Sequence, residues 1–142
     1  MPDASSDHPF RPLVTTQADL EQMWRRLMTP LGFAGFSLWL VIIEGDRAVP
    51  KIMEFTELPD SPDEEDTGAL AKFLAMLATP DTRFAFLRSR PGGGRPSSGD
   101  RAWALALYAA GRHGGAHIDV VHLAHDHDVL PLTADDLMAE SA

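Results

Sequence analysis

Arg88-Ser89-Arg90-Pro91-Gly92-Gly93-Gly94-Arg95-Pro96-Ser97-Ser98-Gly99-Asp100-Arg101-Ala102-Trp103 puts cations, a glycine loop and a serine-aspartate pair in one short segment. Guanidinium groups stay protonated and grip carboxylates or phosphates. Successive glycine amides ahead of a helix cradle anions in the same way. Gly92, Gly93, Gly94 and Arg95 are therefore candidate anion-binding positions, with Arg90 beside them. The loop has neither the Gly-Lys-Ser/Thr ending of a P-loop nor the Gly-x-Gly-x-x-Gly spacing of a dinucleotide fold, so a flexible connector is the simpler expectation. Ser97 three residues before Asp100 is the spacing of a helix-capping pair, and Ser98 is an alternative cap.

Histidine supplies a second cluster: His113, His117, His122, His125 and His127, with Asp126 and Asp128 interleaved. Imidazole and carboxylate at such spacing hold zinc, nickel or copper when further ligands converge. Alternation puts His125 and His127 on one side of an extended segment, yet no additional ligand can be named. The expectation is a solvated turn with no metal, and a half-buried His122 on a strand. No cofactor is expected.

The elements that position these groups follow from periodicity and punctuation. Thr16 with Asp19 reads as a capping pair. Leu20, Met23, Trp24, Leu27 and Met28 recur at helical spacing until Thr29-Pro30. Phe36 to Ile43 reads as a buried strand, Glu44 to Arg47 as a tight turn, and Ala48 to Glu57 as a return strand in which Pro50 demands an edge or a bulge. The acidic stretch Leu58 to Asp66 suits a solvated helix entry, because acids favour the positive end of the helix dipole. Leu70, Phe73, Leu74 and Leu77 then form one apolar face ending at Thr79-Pro80.

Thr82 to Ser89 is a strand that runs into the glycine loop. A third helix is expected from Ser98 to about Arg112, closed by Gly111, Gly114 and Gly115. Ile118 to Leu123 and Val129 to Leu132 are further strands, and Thr133 with Asp136 caps a terminal turn. Trp24, Trp39 and Trp103 fall on faces assigned to the core. The order predicts one α/β domain over 12–142, a mixed sheet flanked by helices on both faces, after a disordered leader from Met1 to Arg11. In such sheets ligands gather at the carboxyl ends of strands, where the glycine loop lies.

Composition narrows the function classes. The 142 residues suffice for one hydrophobic core, and no apolar run approaches the roughly 20 residues of a membrane-spanning helix. A net charge of −9 opposes a phosphate backbone, so neither nucleic acid nor membrane is an expected partner. The absence of cysteine excludes thiol catalysis and thiolate metal sites, and a cytoplasmic location is the default. Edge strands at Ala48 to Glu57 or Val129 to Leu132 make a homodimer possible.

Pro91 after a strand, followed by Pro96-Ser97-x-x-Asp100-Arg101 opening a helix, resembles the metal-binding segment of the RadC-like branch of the JAMM (JAB/MPN) metal-dependent hydrolases. There a strand delivers His-x-His-Pro, a glycine-containing loop follows, and Pro-Ser-x-x-Asp begins a helix. Here the loop is one residue shorter. The helix Ala102 to Ala110 and the strand Ile118 to Leu123 agree with the flanks, so the likeness covers the second half of the chain closely. It implies JAB/MPN-like layering, related to that of cytidine deaminases, and zinc held by two His and an Asp.

Arg88 and Arg90 stand where those histidines would be, and no counterpart of the catalytic Glu is found, Glu44 and Glu54 being poorly placed. Arg88, Arg90, Ser97 and Asp100 thus mark a degenerate site. The resemblance implies a catalytically inactive domain that binds or scaffolds an unknown protein or small molecule. The alternative is a small-molecule or anion-binding domain using the glycine loop and arginines, and a metal-dependent hydrolase is the least favoured reading.

Overall fold

The three long helices among the described residues open on the same chemistry, a side-chain acceptor for otherwise orphaned backbone N–H groups. The computed structural model describes residues 12–135 and 137. Thr16 caps α1 (Gln17–Met28), Asp63 caps α2 (Glu64–Leu77) and Ser97 caps α3 (Ser98–Gly114), each in a reciprocal box with the acid three residues on. Of the two serines before α3, Ser97 is therefore the cap. Asp136 of the expected Thr133 pair and the expected leader Met1 to Arg11 lie outside the described residues.

The strands are β1 (Ser37–Glu44), β2 (Arg47–Phe55), β3 (Thr82–Ser89), β4 (His117–Ile118), β5 (Val121–Ala124) and β6 (Val129–Leu132). They form one mixed sheet in the order β2-β1-β3-β5-β6, with β4 also paired to β3. β1 is antiparallel to β2 and β3, β3 is parallel to β4 and β5, and β6 returns antiparallel to β5. β2 and β6 are the edges. Pro50 lies both on an edge and in a bulge: the register runs Val41 to Ile52 and then Ile43 to Ala48, leaving Val49, Pro50 and Lys51 opposite Ile42.

Alternation divides the core in two. Leu38, Leu40, Phe84 and Phe86 pack against Leu74 of α2 and Trp103 and Leu107 of α3. Val41, Ile43, Ala85 and Leu87 pack against Leu20, Met23 and Trp24 of α1. The chain is thus a single α/β domain, a mixed sheet with helices on both faces. No helix among the described residues is long and apolar enough to cross a membrane.

Two expectations about the secondary structure need correction. The continuous strand read over Ile118 to Leu123 is broken at Asp119-Val120. Asp119 N–H bonds Phe84 O at 2.9 Å, and its carboxylate reaches His117 Nε2 at 3.2 Å and Arg83 Nε at 3.6 Å. The break inserts one residue, because Arg83 faces His117 but Leu87 faces His122. Ile118, Val121 and Leu123 consequently share the α3 face, and His122 turns toward α1. Secondly, only Gly115 closes α3, in the left-handed conformation at φ 67. Gly111 and Gly114 lie within the helix because a Cβ there would come 2.3 Å from Ile118 or 2.6 Å from Ala71 O.

Candidate functional site

The strand β3 and the first turn of α3 bring the predicted arginines and aspartate together. Arg88 shares the face of Phe84 and Phe86 that looks at α3, while the neighbouring Ser89 hydroxyl accepts from Trp39 Nε1 on the other side at 2.9 Å. Arg90 follows the strand, its N–H extending the β3–β5 ladder to Ala124 O at 3.0 Å. Asp100 is wholly buried, and Arg88 and Arg90 are only 3% and 7% exposed.

Every oxygen of Asp100 is engaged. Its Oδ1 accepts from Arg88 Nε at 2.8 Å and Arg90 Nε at 3.0 Å. Its Oδ2 accepts from Arg90 Nε at 2.8 Å and from Ser97 N–H at 2.7 Å, while Ser97 Oγ accepts from Asp100 N–H at 3.1 Å. Burial by itself raises the carboxyl pKa, but the Ser97 N–H and the two guanidiniums more than offset it, so Asp100 titrates below the ordinary carboxylate range.

The rest of each guanidinium is also committed. Arg88 Nη2 donates to Asp60 Oδ1 at 3.0 Å, and the Phe36 ring lies 4.5 Å over the Arg88 guanidinium carbon. Arg90 donates to Pro91 O at 3.0 Å and Arg95 O at 3.3 Å, which shapes the glycine loop around its own cation. Asp60 is carried by the acidic run read as a solvated helix entry. Trp103 Nε1 anchors that run through Pro59 O at 3.0 Å, and a Cβ on Gly99 would meet Asp60 O at 2.6 Å. Glycine is thus required where the run crosses α3. Two guanidiniums and two carboxylates leave the cluster neutral.

The glycine loop binds an anion from within the chain. Gly92 N–H donates to Asp126 Oδ2 at 2.8 Å, and Phe33 N–H donates to its Oδ1 at 3.1 Å. These amides, Gly92 first, hold the Asp126 carboxyl below its usual range. Gly93 lies against the His127 ring, while Gly94 takes a positive φ of 79. The Arg95 side chain is exposed. Asp126 thereby joins the glycine loop, the loop before β1 and the histidine turn.

In that turn His125 Nδ1 accepts from His127 N–H at 3.1 Å. Burial, then the nearby Arg90 and His127, push the His125 pKa down. The two rings lie 6.0 Å apart, edge to face. His122 lies elsewhere, and the expectation that it is half-buried needs correction: the shift at Asp119-Val120 turns it under α1, where it is fully buried. Among the described residues no three His, Asp or Glu side chains gather as a metal-ligand group.

The residues do not fit the zinc that the resemblance implies. Zinc needs neutral or anionic donors, and here guanidiniums sit within hydrogen-bond distance of both oxygens of Asp100. Glu54 does not approach them: it accepts from Ser37 Oγ at 2.7 Å and pairs in register with Trp39, on the face turned away from α3. No protein-family model, curated protein or solved structure matches the chain.

Sequence reasoning identified Arg88, Arg90, Ser97 and Asp100, but missed Asp60 and Asp126. Asp60 was read as part of a solvated acidic run, and Asp126 as part of the histidine turn rather than as the acceptor of the glycine-loop amide. Their partners lie 28 and 34 residues away, and no local pattern announces such contacts.

Proposed function

We propose that this chain is a non-catalytic binding or scaffolding domain of the RadC-like JAMM type, in which an Arg88-Asp100-Arg90 cluster stands where related hydrolases hold zinc. The observation that carries the reading is the full engagement of the buried Asp100 by two guanidiniums and its own helix cap. Such a cluster leaves Asp100 neither a free oxygen for a metal ion nor the exposure of a base. Its role is structural, fixing the strand end, the glycine loop and the acidic run against the start of α3.

The test is to restore donors of the family type. The double variant Arg88→His/Arg90→His is expected to take up zinc where the native chain takes none, with loss of uptake when Asp100→Asn is added. Zinc-dependent cleavage of isopeptide or peptide substrates by the native chain would overturn the reading.

A further inference from the structure

β5 places His122 beneath α1, in register with Leu87 of β3 on one side and Pro131 of β6 on the other. The ring is fully buried. Nδ1 lies 3.0 Å from Val120 O, which can only accept, so Nδ1 carries the proton of the neutral imidazole, and Nε2 has no hydrogen-bond partner among the described residues. A second proton has to go onto Nε2, where it would bury a full charge and a donor with no acceptor.

The surroundings hold no free counter-ion for that proton. Glu21 and Arg25 of α1 are the charged groups that act on the ring, the first favouring a charged imidazole and the second opposing it. Glu21 Oε2 is held by Arg25 Nε at 3.1 Å, and Arg25 donates further to Asp128 Oδ1 at 2.8 Å and Val129 O at 2.9 Å. Leu87 of β3 and Pro131 of β6 bring no charge to the ring.

The helix that covers the ring rests on apolar contact. Leu20, Met23, Trp24 and Met28 of α1 pack on Val41, Ile43, Ala85 and Leu87, in a cluster distinct from the one beneath α2 and α3. Trp24 Nε1 is likewise buried with no acceptor among the described residues. Two unsatisfied ring nitrogens therefore belong to one helix–sheet interface. Lifting α1 hydrates both, while the opposite face keeps its core and its ion cluster.

We propose that His122 makes α1 an acid-released layer: below neutral pH, a proton taken up at Nε2 favours an open form in which α1 has left the sheet while the α2–α3 layer stays packed. Only the open form hydrates Nε2, so its population rises by a factor approaching tenfold for each pH unit between about 6.5 and the pH at which the closed form itself takes the proton. Burial of the four large α1 side chains keeps the open form a minority. Its consequence is intermittent exposure of the apolar strip Val41, Ile43, Ala85 and Leu87.

The experiment is amide hydrogen exchange of the full chain, followed by NMR between pH 7 and pH 5 and corrected for intrinsic exchange. Protection over residues 21–28 is expected to fall at least about fivefold across that range, and at pH 5 to lie at least about tenfold below protection over residues 38–43 and 103–110, because α1 opens without the rest. His122→Leu, which keeps the site apolar, is expected to abolish the pH dependence over residues 21–28. Equal protection of α1 and α3 at pH 5, α1 protection that does not change with pH, or an unchanged slope in His122→Leu would each overturn the proposal. Nitrogen NMR of the His122 ring tests the native chain without any variant: Nε2 is expected to stay unprotonated in the closed form while α1 protection falls. A ring that takes up the second proton with α1 fully protected would likewise overturn it.

Discussion

Toward α3 the sheet buries Asp100 between two guanidiniums; toward α1 it buries His122, whose Nδ1 donates to Val120 O at 3.0 Å and whose Nε2 has no hydrogen-bond partner among the described residues. Both residues are fully buried, but only one keeps its charge. A carboxylate and two guanidiniums cannot all shed charge at neutral pH, so each needs a counter-ion with good geometry. An imidazole simply gives up its proton. Burial, first among the causes, holds the His122 pKa below its ordinary value, against the pull of its Val120 bond and of Glu21. The α3 face is thus expensive to break by halves, and the α1 face responds mainly to acid.

Removing the anion from the α3 face is expected to have the largest effect. Asp100→Ala leaves two buried guanidiniums without their shared partner, which should cost about 3–5 kcal/mol, a large share of a domain's stability. Urea denaturation measures it, and a loss under about 1 kcal/mol would mean that the cluster is not held as described. The comparison sharpens when the whole cluster is exchanged for apolar groups. Arg88→Met/Asp100→Leu/Arg90→Met should recover most of the loss, because replacing a buried ion cluster with packed side chains is often neutral or stabilising. A triple variant as unstable as Asp100→Ala would instead show that the Arg90 bonds to Pro91 O and Arg95 O dominate.

A smaller effect is expected at the helix entry. Ser97→Ala removes one cap acceptor, worth about 1 kcal/mol, but leaves the Ser97 N–H on Asp100; thermal melting checks it.

The smallest effect is expected on the α1 face. The folded-state pKa of His122 lies below the unfolded value of about 6.5, so the unfolded chain binds more protons in that interval. The stability contribution is therefore complete above about pH 6.5 and is lost as pH falls through the folded pKa. His125, with its pKa shifted the same way, adds to this loss. His122→Leu should flatten the fall in stability just below neutrality. It should leave untouched the separate loss below about pH 4 that the lowered Asp100 pKa produces. An unchanged slope near neutrality would remove His122 from the account.

The same contrast explains what was legible in the sequence. Local rules carried the helix cap at Thr16, a cap at Ser97 or Ser98 ahead of α3, the span Thr82–Ser89 of β3 and the edge position of Pro50, because spacing and punctuation act within a few residues. The arginines and Asp100 were legible as a group because they flank one loop. Their mutual bonding was not, since it depends on how far α3 folds back beneath β3. The face taken by His122 was hidden as well: the extra residue at Asp119-Val120 reverses the alternation, and the hydrophobic pattern of Ile118 to Leu123 carries no trace of it. Asp60 and Asp126 looked like solvated loop acids, and each became a counter-ion or amide acceptor only through tertiary contact.

The proposal's central claim is that two guanidiniums, and no metal, are the partners of Asp100. Its most direct test is the zinc content of the native chain, purified without chelator or histidine tag, incubated with zinc, and quantified by mass spectrometry against protein concentration. The account predicts no stoichiometric zinc, with Arg88 and Arg90 remaining on Asp100; near-equimolar zinc would contradict it and make metal-assisted hydrolysis the leading function.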